Sequence, residues 1–426
     1  MRARARQGQL IAILLGLGLA IAACHRPAAR APVWVWLDAG LLTPQVLPEA
    51  VWEAVDSAAA AGAEGLVVEV KCRTGEALVA NSAFPYTKIS PASSGSGDIL
   101  RMAAERAATR GMRVAAGIHV FYGGNKRSRQ GLAWQGMGDW CVTRITERGL
   151  VRDDEDPERA WVRFSPAIPE VRQAELSFLD AVLSRPECEG AWLVGAEFPD
   201  VWSDVGPRAR EGFQDWLGAE VRTWPADVCV RDSTGVLRPG KWFPQWILWR
   251  AMVIRDFVAR AEEAVASRHP GKWLGIVVGG WLPRGFQEGV NWAQPGYDHR
   301  NRWLVAGYGQ SSLATVGTRL GIGLFFAAVS EKEAKRVVAI PEEASFDPGW
   351  LSVEGCVRRA KGALTAESWE RTWAVVHLGH YQGDWKKARR ALRSARSFAG
   401  VVLLDATQLS AERWWARLRS ELGSAK

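Results

Sequence analysis

Short apolar segments that alternate with helical segments are the feature that most constrains the fold of this chain. Eight of them have the length and composition of buried strands. They lie at Val33–Asp38, Gly65–Val70, Met112–Phe121, Gly190–Gly195, Trp273–Val278, Arg302–Ala306, Trp373–His377 and Ala399–Asp405. Strands that alternate with helices are typical of a parallel sheet covered by helices.

Amphipathic spacing predicts helices between most of these strands. They are predicted at Pro48–Ala61, Ile99–Arg110, Pro169–Ser184, Trp246–Ser267, Glu354–Ala363, Asp384–Arg396 and Ser410–Leu422. Eight such units predict one α/β domain, a (β/α)8 TIM barrel with loop insertions. A doubly wound open sheet is the alternative, but it would need a glycine-rich phosphate loop after the first strand. Asp38-Ala39-Gly40 is not such a loop, and the pattern is weakest at Ser311–Pro348.

Residues 1–23 have the pattern of a targeting segment. Arg2, Arg4 and Arg6 make a basic start, and Leu10–Ala23 is uncharged and mostly apolar. That run is shorter than the roughly 20 residues of a membrane-spanning helix and suits the hydrophobic region of a secretory signal. It ends in Ile-Ala-Ala followed by Cys24, which resembles the lipobox of bacterial lipoproteins. The alternative is an ordinary signal peptide with a chance cysteine.

A lipoprotein signal divides the chain into a leader at 1–23, a lipidated tether at 24–32 and a barrel at 33–426. Cys24 would carry the lipid that anchors the exported protein to the membrane. The next residue is His25 rather than the aspartate that often signals retention in the inner membrane. We therefore expect a lipoprotein of the bacterial cell envelope, with the outer membrane favoured.

Composition and charge exclude several classes of protein. Charged residues make up 23% of the chain and hydrophobic ones 48%, which are globular proportions. After residue 23, no apolar run is long enough to span a bilayer. Without the three arginines of the leader, the formal net charge falls from +8 to +5. A charge that is so dilute does not indicate a nucleic-acid partner.

Cysteine and histidine spacing predicts no metal and no cofactor. Cys72, Cys141, Cys188, Cys229 and Cys356 are scattered and contain no CxxC pair. One or two disulfides could form in an oxidising compartment, but a zinc site is not indicated. An HExxH spacing and a GxSxG elbow are also missing from the sequence.

Tryptophan is the unusual residue type, with 23 Trp against 5 Tyr. Its large apolar face stacks on sugar rings and also fills protein cores. Trp34 and Trp36, which lie on one strand, are interpreted as core or rim packing. The sequence leaves both uses open for the other tryptophans.

Four segments near the first strand ends and before the third helix are distinctive in combination: VWLDAG at Val35–Gly40, GLVVEVKCRTGEALVANS at Gly65–Ser82, AAGIHVFYGG at Ala115–Gly124 and SPAIPEVR at Ser165–Arg172. In this order they resemble the bacterial glycosyl-hydrolase-like 10 family, which is described as α-amylase-like or family-10-like TIM-barrel glycosidases. One subgroup is matched further by Trp246–Ala261, Gly279–Asp298, Trp350–Lys361 and Gly400–Leu418. The resemblance spans nearly all of the mature chain and implies a glycosidase-like barrel.

The chain departs from this family at the end of the fourth strand. The family typically has an aspartate there that points into the barrel mouth, and Val194 stands in its place. Glycoside hydrolysis usually needs two carboxyl groups, ~5–5.5 Å apart for retention or ~6.5–9.5 Å apart for inversion. Glu197, three residues later, is the nearest carboxyl that could substitute from the loop; otherwise it is a charge at the rim.

Strand ends and the loops after them supply the candidate site residues, because active sites of such barrels lie there. The catalytic candidates are Glu69, Glu197, Glu354 and Asp405. The substrate-binding candidates are Asp38, His119, Trp281, Asn291, Trp292 and His377, and Glu288 lies on the same loop as Asn291. Each has a structural alternative. Glu69 could form an ion pair with Lys71 or Arg73, Asp405 and Glu354 could serve as helix-terminus residues, and His119 could be a core histidine.

The sequence predicts an exported lipoprotein whose glycosidase-like barrel acts on or binds a polysaccharide or oligosaccharide in an aromatic-lined cleft. Two alternatives remain open. The loss of the fourth-strand aspartate suits a catalytically inactive carbohydrate-binding protein, and the lipid anchor also suits an envelope scaffold without a ligand.

Overall fold

Eight parallel strands close into a barrel in the computed structural model of this chain, which describes residues 30–38, 48–79, 98–337 and 346–423. In chain order they are β1 Val33–Leu37, β2 Gly65–Lys71, β3 Arg113–His119, β4 Gly190–Val194, β5 Trp273–Gly279, β6 Arg319–Leu324, β7 Thr372–His377 and β8 Gly400–Leu404. Each strand pairs with its neighbours in sequence, and β8 pairs with β1. The (β/α)8 barrel is confirmed. The predicted leader and Cys24 lie outside the described residues.

Helices follow the strands and cover the barrel. They are α1 Pro48–Ala61, α2 Ile99–Ala108, α3 Pro169–Leu183, α4 Pro207–Leu217, α5 Phe243–Arg268, α6 Glu331–Val337, α7 Val353–Ala363, α8 Ala366–Glu370, α9 Trp385–Ala395, α10 Ala406–Ala411 and α11 Trp415–Gly423. The insertion between β3 and α3 includes the hairpin of Tyr122–Asn125 with Trp161–Arg163 and the hairpin of Thr143–Thr146 with Gly149–Arg152. Among the described residues, no helix is both long enough and apolar enough to cross a membrane.

The sixth strand is the one wrong strand prediction. Arg302–Ala306 lies in turns, and the barrel strand is β6, seventeen residues later at its start, with the sequence RLGIGL. Two glycines in β6 weaken its strand pattern, but both are required by packing. A Cβ atom at Gly321 would lie 2.9 Å from the ring of Trp192, and one at Gly323 would lie 2.4 Å from the ring of Phe325.

A ring of four tryptophans fills the barrel interior. Trp34, Trp192, Trp273 and Trp373 come from β1, β4, β5 and β7, and adjacent rings meet edge to face with centroids 5.6 to 5.9 Å apart. Such pairs stabilise a core beyond the area that they bury. These side chains are structural, so the tryptophan content of the chain does not by itself indicate sugar binding.

Glycines on adjacent strands make room for these large rings. A Cβ atom at Gly65 would lie 2.5 Å from Trp34, and one at Gly275 would lie 2.4 Å from Trp192. Trp36 has the same relation to Gly117 on β3 at 2.5 Å. The ring of Trp36 also packs against His119 above it. The aromatic packing therefore extends through Trp36 and His119 to the C-terminal end of the barrel.

We expect Gly117→Ala to destabilise the protein, because the added methyl group would overlap the ring of Trp36. Overpacking of this kind typically costs ~1–3 kcal/mol. Urea unfolding of the variant beside wild type measures the change. Gly362→Ala is the matched control, because Gly362 lies in α7 with no atom near its Cβ position, and alanine is the better helix former. Equal stability of Gly117→Ala and wild type would contradict this packing.

Five cysteines are buried and free: Cys72, Cys141, Cys188, Cys229 and Cys356. The disulfides that the sequence left open are therefore not formed among the described residues. Burial raises the pKa of several of these thiols, to about 11 for Cys72 and about 12 for Cys356. They are packing residues rather than nucleophiles, since the thiolate is the reactive form.

Candidate functional site

The C-terminal end of the barrel collects a polar or aromatic side chain from every strand or the loop that follows it. We call this set the mouth ring, and its members are Asp38, Glu69, His119, Glu197, Trp281, Glu288, Phe325, His377 and Asp405. The strand-end rule located most of these positions from the sequence. Their contacts divide them into one group at β1, β2, β3, β7 and β8 and another at β4 and β5. Phe325, after β6, packs against a member of each group, Trp281 and His377.

Asp38 and Glu69 form a pair of carboxyl groups in hydrogen-bond contact. Glu69 is buried and also accepts a hydrogen bond of 3.4 Å from Trp36 Nε1. Burial, followed by the charge of Glu69, raises the pKa of Asp38 to about 7. Burial likewise raises the pKa of Glu69 to about 7, against the hydrogen bonds from Asp38 and Trp36. Near neutral pH this pair therefore holds about one proton and titrates as a unit.

His119 lies beside this pair in its neutral form. Burial, aided by the positive charge of Arg73, lowers the pKa of His119 to about 3. Its Nε2 atom is 3.6 Å from Glu69 Oε2, too far for a hydrogen bond. Its Nδ1 atom has no hydrogen-bond partner among the described residues. The ring packs edge to face against Trp36 and Tyr122, so His119 belongs to the mouth ring as well as to the top of the core.

Lys71 is not the partner of Glu69, so the ion pair between these two residues that the sequence allowed is not formed. A register shift between Glu69 and Lys71 breaks the alternation of β2, so the two side chains do not share a face. Lys71 Nζ instead contacts both carboxylate oxygens of Glu175 on α3, at 2.6 and 2.7 Å. Arg73 is exposed, and its charge lowers the pKa of both Glu69 and Asp38.

Asp405 and His377 continue the mouth ring on the far side of β1. Asp405 is the N-cap of α10, where its carboxylate accepts a hydrogen bond of 2.8 Å from Gln408 N. Burial raises its pKa, and the charge of Asp38 adds to this shift. Burial lowers the pKa of His377, against the charge of Asp405. Asp405 therefore has the capping role that the sequence allowed and also faces the titratable groups of the mouth.

The loop after β4 turns sharply at the position where the resembled family has its aspartate. Val194 is half-buried and packs against the apolar barrel interior beside His119. Gly195 has a φ of +82°, and a Cβ atom there would lie 2.8 Å from Tyr122. Glu197 N donates to Gly195 O at 2.8 Å. The tight turn places Glu197 immediately after the strand end.

Arg163 is a contact residue of this loop that the sequence analysis missed. Its Nη2 atom donates to Gly195 O at 2.9 Å and to Glu197 O at 3.0 Å. Its Nη1 atom is 3.7 Å from Glu197 Oε1, and its guanidinium lies 4.2 Å from the ring centroid of Tyr122. Arg163 lies on an inserted hairpin, and no spacing in the sequence relates it to β4.

Glu288 is the second carboxyl on this side of the mouth. Its backbone O accepts a hydrogen bond of 2.9 Å from Phe198 N, which joins the loops after β4 and β5. Trp281 Nε1 donates to Glu288 Oε2 at 2.7 Å. Burial and the neighbouring charge of Glu197 raise the pKa of Glu288 to about 8. Burial also raises the pKa of Glu197, but the Arg163 charge opposes that shift.

A cavity of about 510 Å³ opens beside Glu288. This volume lies within the range of ligand pockets. Aromatic rings from Trp281, Phe325 and Phe326 form one part of its lining, and Arg284 and Gln287 add polar groups. Trp281 is only partly buried, so it is the predicted substrate-binding tryptophan that a sugar ring can reach.

Three predicted site residues lie away from the mouth ring, and their predicted roles are corrected here. Trp292 is fully buried and donates to Gly279 O at 2.9 Å, so it braces the loop after β5. Asn291 is buried and donates to Tyr308 O and Ser311 Oγ. Glu354 lies in the first turn of α7, is 46% exposed and faces Arg390 on α9 at 3.7 Å.

The described residues contain no group of three or more His, Cys, Asp or Glu side chains arranged to hold a metal ion. The chemistry that this site can perform with its own residues is proton transfer and charge stabilisation by carboxyl groups. It also offers aromatic faces for stacking.

Comparisons with solved structures show barrels of the same fold. No family model matches the sequence, and no curated protein matches it. The structure is similar to the glycoside hydrolase domain of PgaB (BpsB) from Bordetella bronchiseptica, with a TM-score of 0.58 and 14% identity over 92% of this chain and 98% of that one. It is also similar to the catalytic domain of β-amylase from Paenibacillus polymyxa, with a TM-score of 0.52 and 13% identity over 89% and 93%.

A third similar structure is α-L-fucosidase isoenzyme 2 from Paenibacillus thiaminolyticus, with a TM-score of 0.53 and 13% identity. The match covers 93% of this chain and 50% of the fucosidase. At these identities the comparisons show a shared fold. The chain thus shares its TIM barrel with these proteins, and its polar groups gather at the end where TIM barrels carry their active sites.

Proposed function

We propose that this chain is an exported lipoprotein whose barrel mouth binds a polysaccharide and hydrolyses its glycosidic bonds. The observation that carries the proposal is the Glu197–Glu288 pair, two neighbouring carboxyl groups in unlike environments. Glu288 is held largely protonated at neutral pH, and Glu197 faces the guanidinium of Arg163. A pair of neighbouring carboxyl groups, one to donate a proton and one to stabilise positive charge, is the pattern of glycosidases.

In this mechanism Glu288 protonates the oxygen of the leaving sugar, and the Glu197 carboxylate acts on the sugar side of the same bond. As Glu288 gives its proton to the leaving oxygen, the bond between that oxygen and the anomeric carbon breaks, and Glu288 is left ionised. The positive charge that develops at the anomeric carbon is stabilised by Glu197. A water molecule then adds to the anomeric carbon, and the proton that it releases returns to Glu288. Trp281 supplies an aromatic face for one sugar ring. Asp38, Glu69, His119, His377 and Asp405 offer hydrogen bonds to sugar hydroxyl groups deeper in the mouth.

Binding without hydrolysis is the second candidate, and the apolar side chain of Val194 in the mouth favours it. An aspartate at that position is typical of the resembled family. A binder would keep the aromatic cavity and the strand-end acids and would lack turnover. The two candidates share the ligand class and differ only in chemistry.

A polysaccharide panel tests both candidates. We expect wild type to bind at least one polysaccharide and to release reducing ends from it. Glu197→Gln should retain binding and lose turnover by ~100-fold or more, because the variant keeps the shape but not the charge. Unchanged turnover in Glu197→Gln would eliminate this residue, and turnover that occurs only in Val194→Asp would show that the natural protein is a binder. If wild type binds no polysaccharide of the panel, the proposal of a carbohydrate partner is rejected.

We expect Cys24→Ala to release the protein from the membrane fraction. The prediction rests on the basic start, the short apolar run and the lipobox-like sequence before Cys24. A single acyl chain binds membranes only marginally, and stable anchoring needs more than one chain, as a diacylglyceryl-modified cysteine would supply. Fractionation of cells that express either form measures the change. A Cys24→Ala protein that stays membrane-bound like wild type would show that the anchor lies elsewhere.

A further inference from the structure

We infer that Arg163 is the positioning residue that turns Glu197 toward the mouth and places a cation beside its carboxyl group. The inference rests on the proposed function and deepens it. It explains how Glu197, a loop residue, can take the place of the aspartate that Val194 replaces at the end of β4. Arg163 is buried, and its guanidinium reaches the loop from the hairpin strand Trp161–Arg163.

The backbone of the loop is the first part of the argument. Arg163 donates to the carbonyl groups of both Gly195 and Glu197, and its Nε atom donates to Phe121 O at 3.2 Å. One planar guanidinium thus ties the end of the β3 region to the turn after β4. Because Gly195 is in the left-handed region, the turn is not the default path of the chain. The two carbonyl contacts select it.

The shape of the guanidinium is the second part. Its planar face lies over the ring of Tyr122 at 4.2 Å, while its edge carries the donors to the loop. A lysine ammonium cannot make this stacked and forked set of contacts. Tyr122 also closes the space above Gly195, so the same two residues fix the loop from both sides.

Charge is the third part. The groups that face Glu197 are Arg163, with Nη1 at 3.7 Å from Oε1, and the neighbouring Glu288. The buried cation of α5, Arg250, acts on Glu288 by its charge but is engaged elsewhere: it donates to Asp200 O. Among the described residues, Arg163 is therefore the cation in ion-pair range of Glu197. Its removal leaves two partly buried carboxyl groups without that cation.

Titration of the carboxyl groups tests this inference without any substrate. Glutamate labelled with 13C at Cδ reports protonation by NMR, and the Glu197→Gln spectrum assigns the Glu197 signal. In Arg163→Gln we expect the Glu197 midpoint to rise by about one pH unit or more, since a cation at this distance shifts a carboxyl by ~1–3 units. In Arg163→Lys the charge remains, and the midpoint should stay nearer to that of wild type. A Glu197 midpoint that is the same in Arg163→Gln and wild type would overturn the inference.

Measurements of kcat separate the effect of Arg163 on the position of Glu197 from the effect of its charge. Arg163→Lys should still lose on the order of 10- to 100-fold in kcat, because the carbonyl contacts are lost and a small displacement is costly. The double variant Arg163→Gln/Glu197→Gln should be no slower than Glu197→Gln alone, if Arg163 acts through Glu197. Arg208→Gln, which breaks an exposed pair with Glu170, is the matched control and should behave as wild type. Wild-type turnover in Arg163→Lys would overturn the positioning role.

Failure of the inference is distinguishable from failure of the proposed function. If wild type hydrolyses no glycan, the hydrolysis proposal fails, but the NMR titration still decides whether Arg163 controls Glu197. Circular dichroism and thermal melting of each variant establish that it is folded. If Arg163→Gln does not fold, turnover by Arg163→Lys decides: a 10- to 100-fold loss in kcat supports the positioning role, and wild-type turnover rejects it.

Discussion

Glu288→Gln is expected to lower the rate of glycan hydrolysis by ~100-fold or more while glycan binding persists. A general acid contributes typically 10²- to 10⁴-fold to such a reaction, and the amide cannot donate its proton to the leaving oxygen as a carboxylic acid does. The amide still fits beside Trp281, whose Nε1 donates to the Glu288 side chain. Measurement of kcat and KM on the glycan that wild type cleaves tests this expectation, and the loss should fall on kcat.

The pH dependence of wild type follows from the same residue. Burial and the charge of Glu197 raise the pKa of Glu288 to about 8, so the acid form predominates below that pH. Since the mechanism needs the acid form, the wild-type rate should fall as the pH rises through about 8. Glu197 and Glu288 interact, so the profile reports the pair rather than one residue.

Glu354→Gln is the control for this prediction. Its carboxylate is another sequence candidate, but it is half-exposed on α7 and faces Arg390. We expect wild-type kinetics from it. Two results would contradict the assignment of Glu288: wild-type kcat in Glu288→Gln, or a wild-type rate that increases through pH 8.

The strand pattern predicted seven of the barrel strands because apolar strands of a parallel barrel are buried on both faces. β2 and β8 are continuous apolar runs up to their polar ends. β6 was missed because its two glycines interrupt the apolar pattern. They are needed there to make room for the rings of Trp192 and Phe325. A strand whose composition is set by its neighbours in space cannot be recognised from its own residues.

The candidate site was predictable where a residue ends a strand and less so on the loops. Asp38, Glu69 and Asp405 follow the strand-end rule, and their contacts arise from barrel closure. Asn291 and Trp292 lie on the same loop as Glu288, but their side chains are buried. The position of a residue on a loop does not determine the direction of its side chain. Arg163 could not be predicted from the sequence, because its hydrogen-bond acceptors are backbone carbonyl groups, which no residue type identifies.

Lys71→Met is expected to cost the folded protein ~3–5 kcal/mol, the typical loss when one partner of a buried ion pair is removed. Lys71 and Glu175 are both buried, and Lys71 Nζ lies 2.6 Å from Glu175 Oε1. The same carboxylate oxygen accepts a hydrogen bond of 2.9 Å from Phe121 N. Methionine fits the space of the lysine stem but leaves the Glu175 carboxylate without a cation. Urea unfolding of the variant and wild type at pH 8 measures the loss.

A second substitution separates the cause of this loss from a packing defect. Lys71→Met/Glu175→Gln removes the buried charge and keeps an oxygen for Phe121 N, so it should recover much of the stability that Lys71→Met loses. Arg208→Met, which breaks the exposed pair with Glu170, should change stability little. If the double variant is as unstable as Lys71→Met, the defect lies in packing around position 71. Recovery would instead show that Lys71 on β2 is needed to neutralise Glu175 on α3. Lys71 is then committed to Glu175, and Glu69 is available to the other groups of the barrel mouth.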